Sequence, residues 1–226
     1  MAFVTKLDQV AEKLRERIIA GEYARGEKLK QVQIAEELGV SVTPVREALK
    51  ALEMEGYIVS RPHQGLSIPE FDLEDAQEIL ELRMTLERQL TRRAVERLTK
   101  EGLESLHEAQ RDYIRGAKAN DLQLARRANV RFHFRLYELA ERPQTLQFVR
   151  VLWAKYPFIT SERGQTARAK VVIQEHNAFL KFAGAGEVDK AVDAMCSHIG
   201  SGWDDISMIR TAELAASRDE LVARAA

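Results

Sequence analysis

The sequence predicts a mainly helical protein, with an N-terminal winged helix-turn-helix and a C-terminal all-helical bundle. Three observations support this fold class. A pair of helices joined at a glycine occupies residues 33–49, two β-prone runs follow within residues 57–68, and helical periodicity then continues almost to the end of the chain. The 226 residues are enough for two domains, which we place at residues 1–70 and 71–226.

The first helix supports the helix-turn-helix. Its apolar residues share one face, and it ends near Gly21. These residues are Leu7, Val10, Leu14 and Ile18. Gly39 can adopt the positive φ that the turn between the next two helices requires. Ser41 or Thr43 can cap the helix after this turn, and Pro44 is tolerated in its first turn because no intrahelical N–H bond is lost there.

The helix after the turn has the pattern of a DNA-recognition helix. Its apolar residues Val45, Ala48, Leu49 and Leu52 recur at helical spacing and predict a buried face. The same spacing turns Thr43, Arg46 and Lys50 outward. A hydroxyl group and two cations on one exposed face suit the major groove, where base acceptors lie between two rows of phosphates.

A wing is predicted after this helix. Gly56 ends the helix, and two β-prone runs flank a turn that contains Pro62 and Gly65. The chain has 34 Lys and Arg against 35 Asp and Glu, so DNA binding must depend on local placement of charge rather than on a basic domain. The candidate DNA-binding residues are Lys30, Gln31, Gln33, Ser41, Thr43, Arg46, Lys50, His63 and Gly65.

The turn, the helix after it and the wing resemble the GntR family of bacterial repressors. The resemblance rests on the run from Gly39 to Leu49 and on four later residues, namely Leu52, Glu53, Gly56 and Gly65. Two positions depart from the family pattern, because most relatives carry arginine where this chain has Val42 and some carry a base-reading arginine where it has Val32. Arg46 is retained. Valine cannot make arginine's bidentate contact to guanine, so the operator is expected to differ from the family's usual one.

Three histidines in the second domain are candidate metal ligands. Asn129 and His133 are four residues apart, so on a helix they share a face, and His176 and His198 lie on two later helical segments. Imidazole nitrogens suit zinc and nickel, and three of them with a carbonyl oxygen would leave positions open for an anion. From spacing alone, the histidines are also consistent with ordinary core or surface residues.

The second domain resembles FCD, the helical ligand-binding bundle of FadR-type GntR regulators, with VanR-like length. The resemblance rests on residues 72–75, 81–83, 86–87, 132–133, 175–177 and 195–198. It implies a divalent metal held by an aspartate and three histidines, which correspond here to Asn129, His133, His176 and His198. Asparagine is neutral, so this site is expected to hold the ion less tightly than the aspartate form.

Arg83 is the candidate effector-binding residue. It lies on a helix face that is otherwise apolar, where a guanidinium group needs a carboxylate partner or an anionic ligand. A positive pocket formed by this arginine and the metal would bind a small organic acid. Glu87 is one turn away, so an internal Arg83–Glu87 ion pair is the alternative interpretation.

Together these features predict a transcriptional regulator and repressor that binds double-stranded DNA at an inverted repeat as a homodimer. The alternatives are a metal-dependent enzyme using the histidines, or an adaptor that uses the winged helix for protein contacts. The enzyme lacks support because the sequence has no nucleophile elbow, phosphate loop or HExxH helix. Cytoplasmic localisation is expected, with no membrane association, because no apolar segment reaches membrane-spanning length and no signal peptide is recognised.

Overall fold

The computed structural model describes residues 5–61, 65–70, 73–155 and 165–203. These residues are mainly helical and include one two-stranded sheet, which confirms the predicted fold class. The elements are α1 (Lys6–Ile19), α2 (Gln31–Leu38), α3 (Val42–Met54), β1 (Val59–Arg61), β2 (Gly65–Ser67), α4 (Leu73–Glu96), α5 (Lys100–Ala119), α6 (Leu122–Glu138), α7 (Pro143–Lys155), α8 (Gln165–Gly184) and α9 (residues 188–203).

The chain divides into two compact units. The first comprises the described residues of Met1–Leu82 and Gln144–Pro157, and the second those of Arg83–Pro143 and Phe158–Ala226. The first unit therefore contains the start of α4 and most of α7 in addition to the winged helix. The histidine-bearing helices α6, α8 and α9 belong to the second unit.

Local signals define the ends of the first three helices. Thr5 and Asp8 form a capping box at the start of α1, in which each side chain accepts a hydrogen bond from the other residue's backbone N–H. Gly39 ends α2 with φ of 65°, as the sequence predicts. Ser41 is the N-cap residue of α3, but its side chain makes no capping hydrogen bond, so its hydroxyl does not have the predicted capping role.

The wing is a short antiparallel hairpin. Strands β1 and β2 pair in a register that places Val59 opposite Ser67 and Arg61 opposite Gly65. Lys28 forms an isolated bridge with Ser67 on the other side of β2. The loop residues 62–64, including the DNA-binding candidate His63, lie outside the described residues.

The second unit is a helical bundle in which α5 packs against α6 and α8. Close packing of α5 and α6 depends on Gly116, because a methyl group at this position would lie 2.6 Å from the backbone nitrogen of Ala125. That distance is shorter than van der Waals contact, and the opposing atom is backbone, which cannot rotate away. Glycine is therefore required where these two helices approach.

We expect Gly116→Ala to lower the free energy of unfolding by about 1–3 kcal/mol, because the added methyl group forces α5 and α6 apart. Urea denaturation measures this change. Gly200→Ala is the matched control, since a methyl group at Gly200 meets no atom within 4 Å in the described structure and alanine favours the helix. Equal stability of the Gly116→Ala and wild-type proteins would contradict the steric requirement.

None of the helices in the described part of the chain is both long enough and apolar enough to cross a bilayer.

Candidate DNA-binding surface and histidine site

Helix α3 has one buried and one exposed face. The buried face consists of Val45, Ala48, Leu49 and Leu52, none of which is exposed to solvent. Thr43, Arg46 and Lys50 are exposed, as predicted, and Val42 lies exposed at the first helical position. The N-terminal part of a recognition helix contacts base edges. Thr43 and Arg46 therefore have the positions needed to read bases, and Lys50 follows one turn later.

The two cations of α3 both lie beside Glu47. Arg46 Nε is 3.6 Å and Lys50 Nζ is 3.3 Å from Glu47 Oε1, and all three side chains are about half exposed. Ion pairs this exposed contribute about 0–1 kcal/mol, so they are easily exchanged for stronger contacts. Both cations can therefore turn from Glu47 to a DNA phosphate or base at little cost.

The other candidate DNA-binding residues lie at the start of α2, at the start of α3 and in the wing. Lys30 is exposed at the N-cap of α2, Gln31 is half-buried, and exposed Gln33 donates a hydrogen bond to Glu37. Ser41 is exposed before α3. Gly65 is exposed at the first position of β2 with φ of 78°, a conformation that favours glycine.

In the second unit, His133 of α6, His176 of α8 and His198 of α9 are brought together in the interior. Their exposed fractions are 0%, 0% and 4%. The Nε2 atom of His198 lies 3.0 Å from Nε2 of His133 and 3.2 Å from Nε2 of His176. Burial away from water is the main reason why the pKa of all three imidazoles is lowered from the ordinary value of 6.5. The neutral form of each histidine is therefore favoured.

The Nδ1 atom of each histidine has its own partner. His198 Nδ1 lies 2.8 Å from Glu175 Oε2, and His176 Nδ1 lies 2.8 Å from Gln110 Oε1. Gln110 turns its amide nitrogen towards Asn177 Oδ1 at 3.2 Å, which leaves its oxygen to accept from His176. Carboxylate and carbonyl oxygens only accept, so Nδ1 carries the proton in both histidines.

His133 also has a hydrogen-bond partner at Nδ1, which is the side chain of a tyrosine. Its Nδ1 atom lies 3.0 Å from the hydroxyl oxygen of Tyr137, and that hydroxyl group donates to Glu87 Oε2. The tyrosine oxygen is therefore left to accept the proton of His133 Nδ1. Because a neutral imidazole carries one N–H, all three Nε2 atoms present lone pairs at the centre of the cluster. Three lone pairs this close repel one another unless a cation lies among them.

Asn129 adds an unsatisfied oxygen to the same helix face as His133. Its Oδ1 atom is buried and has no hydrogen-bond partner in the described part of the chain. Asn129 and His133 are one turn apart on α6, so their side chains leave the helix on one side. A buried carbonyl oxygen without a donor costs free energy, and a cation would satisfy it.

Arg83 is held in a buried ion pair that extends to the histidines. Its Nε atom donates to Glu87 Oε1 at 2.6 Å, and the two side chains are 4% and 0% exposed. Glu87 also accepts from Tyr137, which in turn contacts His133. The Arg83–Glu87 pair considered in the sequence analysis is therefore present. It lies at one end of a continuous chain of polar contacts to a candidate metal ligand.

Three residues that orient the histidines, Tyr137, Gln110 and Glu175, were not among the site residues predicted from the sequence. Tyr137 lies four residues after His133, so helical spacing was available as a signal. Glu175 orients His198, which is 23 positions away, so it gives no local signal. Gln110 gives no such signal. Its helix, α5, meets α8 only through tertiary packing.

Two protein-family models match the chain. The model described as "FCD domain" matches residues 78–201, which is more than half of the chain. The model described as "Bacterial regulatory proteins, gntR family" matches residues 6–68. These matches contain the histidine site and the helix-turn-helix, respectively.

Two transcriptional regulators are similar to the chain over most of its length. The HTH-type transcriptional regulator McbR of Escherichia coli (strain K12) is 29% identical over 155 residues, covering 69% of this chain and 70% of McbR. The HTH-type transcriptional regulator LutR of Bacillus subtilis (strain 168) is 27% identical over 217 residues, covering 83% of this chain and 94% of LutR. Both similarities extend beyond the length of a winged helix alone.

A solved structure of E. coli McbR/YncC has a similar fold. It matches with a TM-score of 0.82 and covers 93% of this chain and 100% of that chain. The sequence identity of this match is 23%, so it supports the fold and not a shared ligand.

Proposed function

The chain belongs to the GntR family of bacterial transcriptional regulators with an FCD domain, and we propose that it is a repressor that a small carboxylate releases from its operator. The family is one of regulators and not of enzymes. DNA binding is therefore its general activity. The specific proposal concerns the metal, the effector and the sign of regulation.

The observation that carries the proposal is the meeting of three unprotonated Nε2 atoms in a buried site. His198 Nε2 lies 3.0 Å from His133 Nε2 and 3.2 Å from His176 Nε2, and one ring nitrogen of each histidine lies within 4.8 Å of those of the other two. In each histidine, a second residue holds the proton on Nδ1, which is the arrangement that orients metal-ligating imidazoles. We infer that His133, His176 and His198, with Asn129 Oδ1, hold one divalent cation. Nitrogen-rich ligation favours zinc or nickel.

The chain's own residues prepare the site for an anion. Tyr137, Gln110 and Glu175 fix the imidazole rings, and the surrounding burial strengthens electrostatic attraction. A bound divalent ion would supply a positive charge that attracts a carboxylate. The protein ligands inferred here provide no negative charge, because three histidines and an asparagine are neutral. An organic acid is therefore the class of effector that best complements the loaded site.

We expect Asn129→Asp to tighten metal binding by about tenfold or more, because a carboxylate adds a negative charge and a stronger oxygen ligand. A competition titration with a zinc-sensitive dye measures the dissociation constant. Asn120→Asp is the control, since Asn120 is an exposed residue at the end of α5. Equal zinc affinity of Asn129→Asp and wild-type protein would remove Asn129 from the ligand set.

Arg83 is proposed to bind the effector by exchanging its internal partner. In the structure, Glu87 satisfies part of the guanidinium group. An incoming carboxylate can replace Glu87 at Arg83, and the Glu87–Tyr137–His133 contacts would transmit this exchange to the histidine site. The buried ion pair would then hold the Arg83 side chain in position until the effector binds.

Arg83→Ala is expected to have two separable effects. It should lower the free energy of unfolding by about 3–5 kcal/mol, because the charge of Glu87 is left buried without its partner. It should also abolish the effect of carboxylic acids on operator binding. Thermal unfolding and operator titrations measure the two effects.

A double variant separates stability from effector binding. Arg83→Gln with Glu87→Gln removes both charges and keeps an acceptor for Tyr137, so it should recover most of the lost stability without recovering the carboxylate response. A normal response in this variant would show that Arg83 is a structural residue and not an effector-binding residue.

A homodimer on an inverted-repeat operator is proposed because a single recognition helix contacts too few base pairs for a specific site. We propose repression and not activation of transcription, because a dimer bound at the operator blocks transcription by occupancy alone. Activation needs a further protein contact. The effector would favour a conformation in which the two copies of α3 no longer match the half-sites. A coupling free energy of about 1–3 kcal/mol would change operator affinity by about 5- to 150-fold.

The test of this function begins with selection of bound sequences from random double-stranded DNA. A two-fold symmetric motif is expected. The protein, loaded with zinc or nickel, is then titrated onto this operator with and without small carboxylic acids. Selection of no motif would contradict specific DNA binding, and retention of the operator with every acid would contradict release by a carboxylate.

A further inference from the structure

Helix α7 lies within the residues matched by the FCD family model, yet most of it forms a compact unit with the winged helix. The FCD match spans residues 78–201, and α7 spans Pro143–Lys155. From Gln144 onwards the helix belongs to the first compact unit. The family match therefore assigns α7 to the FCD domain, whereas packing places most of it in the first compact unit.

The C-terminal end of α7 is held by an arginine from the loop between α1 and α2. Arg25 donates from Nη1 to the backbone oxygen of Pro69 at 3.2 Å and from Nη2 to the backbone oxygen of Lys155. Lys155 is the last described residue of α7. Arg25 therefore joins Lys155 of α7 to the backbone that follows the wing.

The middle of α7 makes a polar and an apolar contact with the winged helix. Arg150 Nη1 lies 3.5 Å from Glu12 Oε1 of α1. A methyl group at Gly56, just after α3, would lie 3.7 Å from Cγ1 of Val151, so these backbone and side-chain surfaces are in near contact. We call Arg25, Glu12, Gly56 and their partners on α7 the α7 clasp.

The other end of α7 is connected to the helix that carries His133. Helix α6 ends at Glu138, and only four residues separate it from Pro143. This connection is fixed within the second unit, because Arg93 Nε donates to the backbone oxygen of Ala140 at 3.1 Å and Arg97 pairs with Glu141. The start of α7 is therefore joined by a short piece of chain to α6, at a connection that Arg93 and Arg97 hold in place.

We propose that α7 couples the histidine site to the winged helix, and that the α7 clasp is the separable contact through which it acts. This inference rests on the proposed function. Polar contacts that are partly exposed, such as Arg150–Glu12, are weak enough to form and break during regulation. Chain connection to α6 at one end, and exchangeable polar contacts with the winged helix along the rest, suit a helix that reports the state of the bundle to the DNA-binding unit.

Amide hydrogen exchange of the full-length protein tests the proposal. The variant is Arg25→Ala with Arg150→Ala, and the control is Arg111→Ala with Arg115→Ala, which removes two exposed ion pairs of α5. Without any ligand, residues 144–155 should exchange about three- to tenfold faster in the clasp variant than in the wild type or the control. Exchange in α5 and α6 should be unchanged.

Addition of zinc alone then tests whether the histidine site is coupled to the winged helix. In the wild type, zinc should change exchange in both α7 and α1–α3, whereas in the clasp variant the response of α1–α3 should be lost while zinc is still bound. An equal response of α1–α3 in both proteins would overturn the proposal, as would equal ligand-free exchange of α7.

A further arm distinguishes failure of this inference from failure of the metal site. If the wild type takes up no zinc, the metal site fails, and operator DNA replaces zinc as the probe. By reciprocity, DNA should then slow exchange of α7 in the wild type and not in the clasp variant. Equal exchange of α7 with and without DNA in the wild type would overturn the role of α7.

Discussion

Protein with both His176→Ala and His198→Ala is expected to bind no divalent metal under conditions in which the wild type binds one ion per chain. Loss of two of three imidazole nitrogens leaves His133 and the neutral Asn129 oxygen, which are too few ligands for stable binding of zinc or nickel. Metal analysis after dialysis gives the stoichiometry.

A matched histidine variant controls for altered folding or unspecific uptake. His107 lies on α5 outside the cluster, so His107→Ala should retain wild-type metal content. Circular dichroism shows whether the double variant keeps its helical content. If a folded double variant bound metal with wild-type affinity, the histidine cluster would be a buried polar group and not a metal site.

Arg46→Ala is expected to weaken operator binding by about 1–3 kcal/mol, or about 5- to 150-fold, without altering the fold. The side chain is half exposed and contributes nothing to the buried face of α3, so its loss should leave the winged helix intact. Fluorescence anisotropy with a labelled operator measures the change.

Glu16→Ala provides a control on another exposed helix face of the same unit. Glu16 is an exposed residue of α1 and is not among the candidate DNA-binding residues. Its replacement should leave operator affinity within about twofold of the wild type. Unchanged affinity of Arg46→Ala would show that α3 does not use this arginine to bind DNA.

The winged helix was predictable because its signals are local. Gly39, the spacing from Val45 to Leu52 and the glycines of the wing define helix ends and faces within a few residues. The predicted hydroxyl cap of α3 was wrong: Ser41 is the N-cap residue, but its side chain makes no capping hydrogen bond. The first N–H groups of a helix can bond to water instead, and the sequence does not show which partner they take.

The candidate site was only partly predictable. Resemblance to a family indicated which histidines to group, and their metal-binding role remains a prediction. Tyr137 lies one turn after His133 on the same helix. Gln110 of α5 and Glu175 of α8, in contrast, reach the Nδ1 atoms of His176 and His198 only through the packing of helices, which has no short-range signal. Gln110 shows the limit most clearly, because it is 66 positions from the histidine that it orients.

Sequence patterns could not predict the packing of α7 either. Periodicity predicts that a helix buries a face, but it does not indicate which neighbour covers it. Here Arg25, Glu12 and Gly56 of the winged helix contact α7, and each is separated from its partner by roughly 100 residues of chain or more. Only tertiary structure reveals these contacts.

Operator affinity of metal-loaded protein, measured by anisotropy against a panel of small mono-, di- and tricarboxylic acids, tests the central claim most directly. We expect at least one acid to weaken operator binding by about 5- to 150-fold in the wild type and to have no effect on His176→Ala with His198→Ala. If every acid left wild-type and double-variant affinities unchanged, or changed both equally, control of DNA binding by a carboxylate at the histidine site would be contradicted.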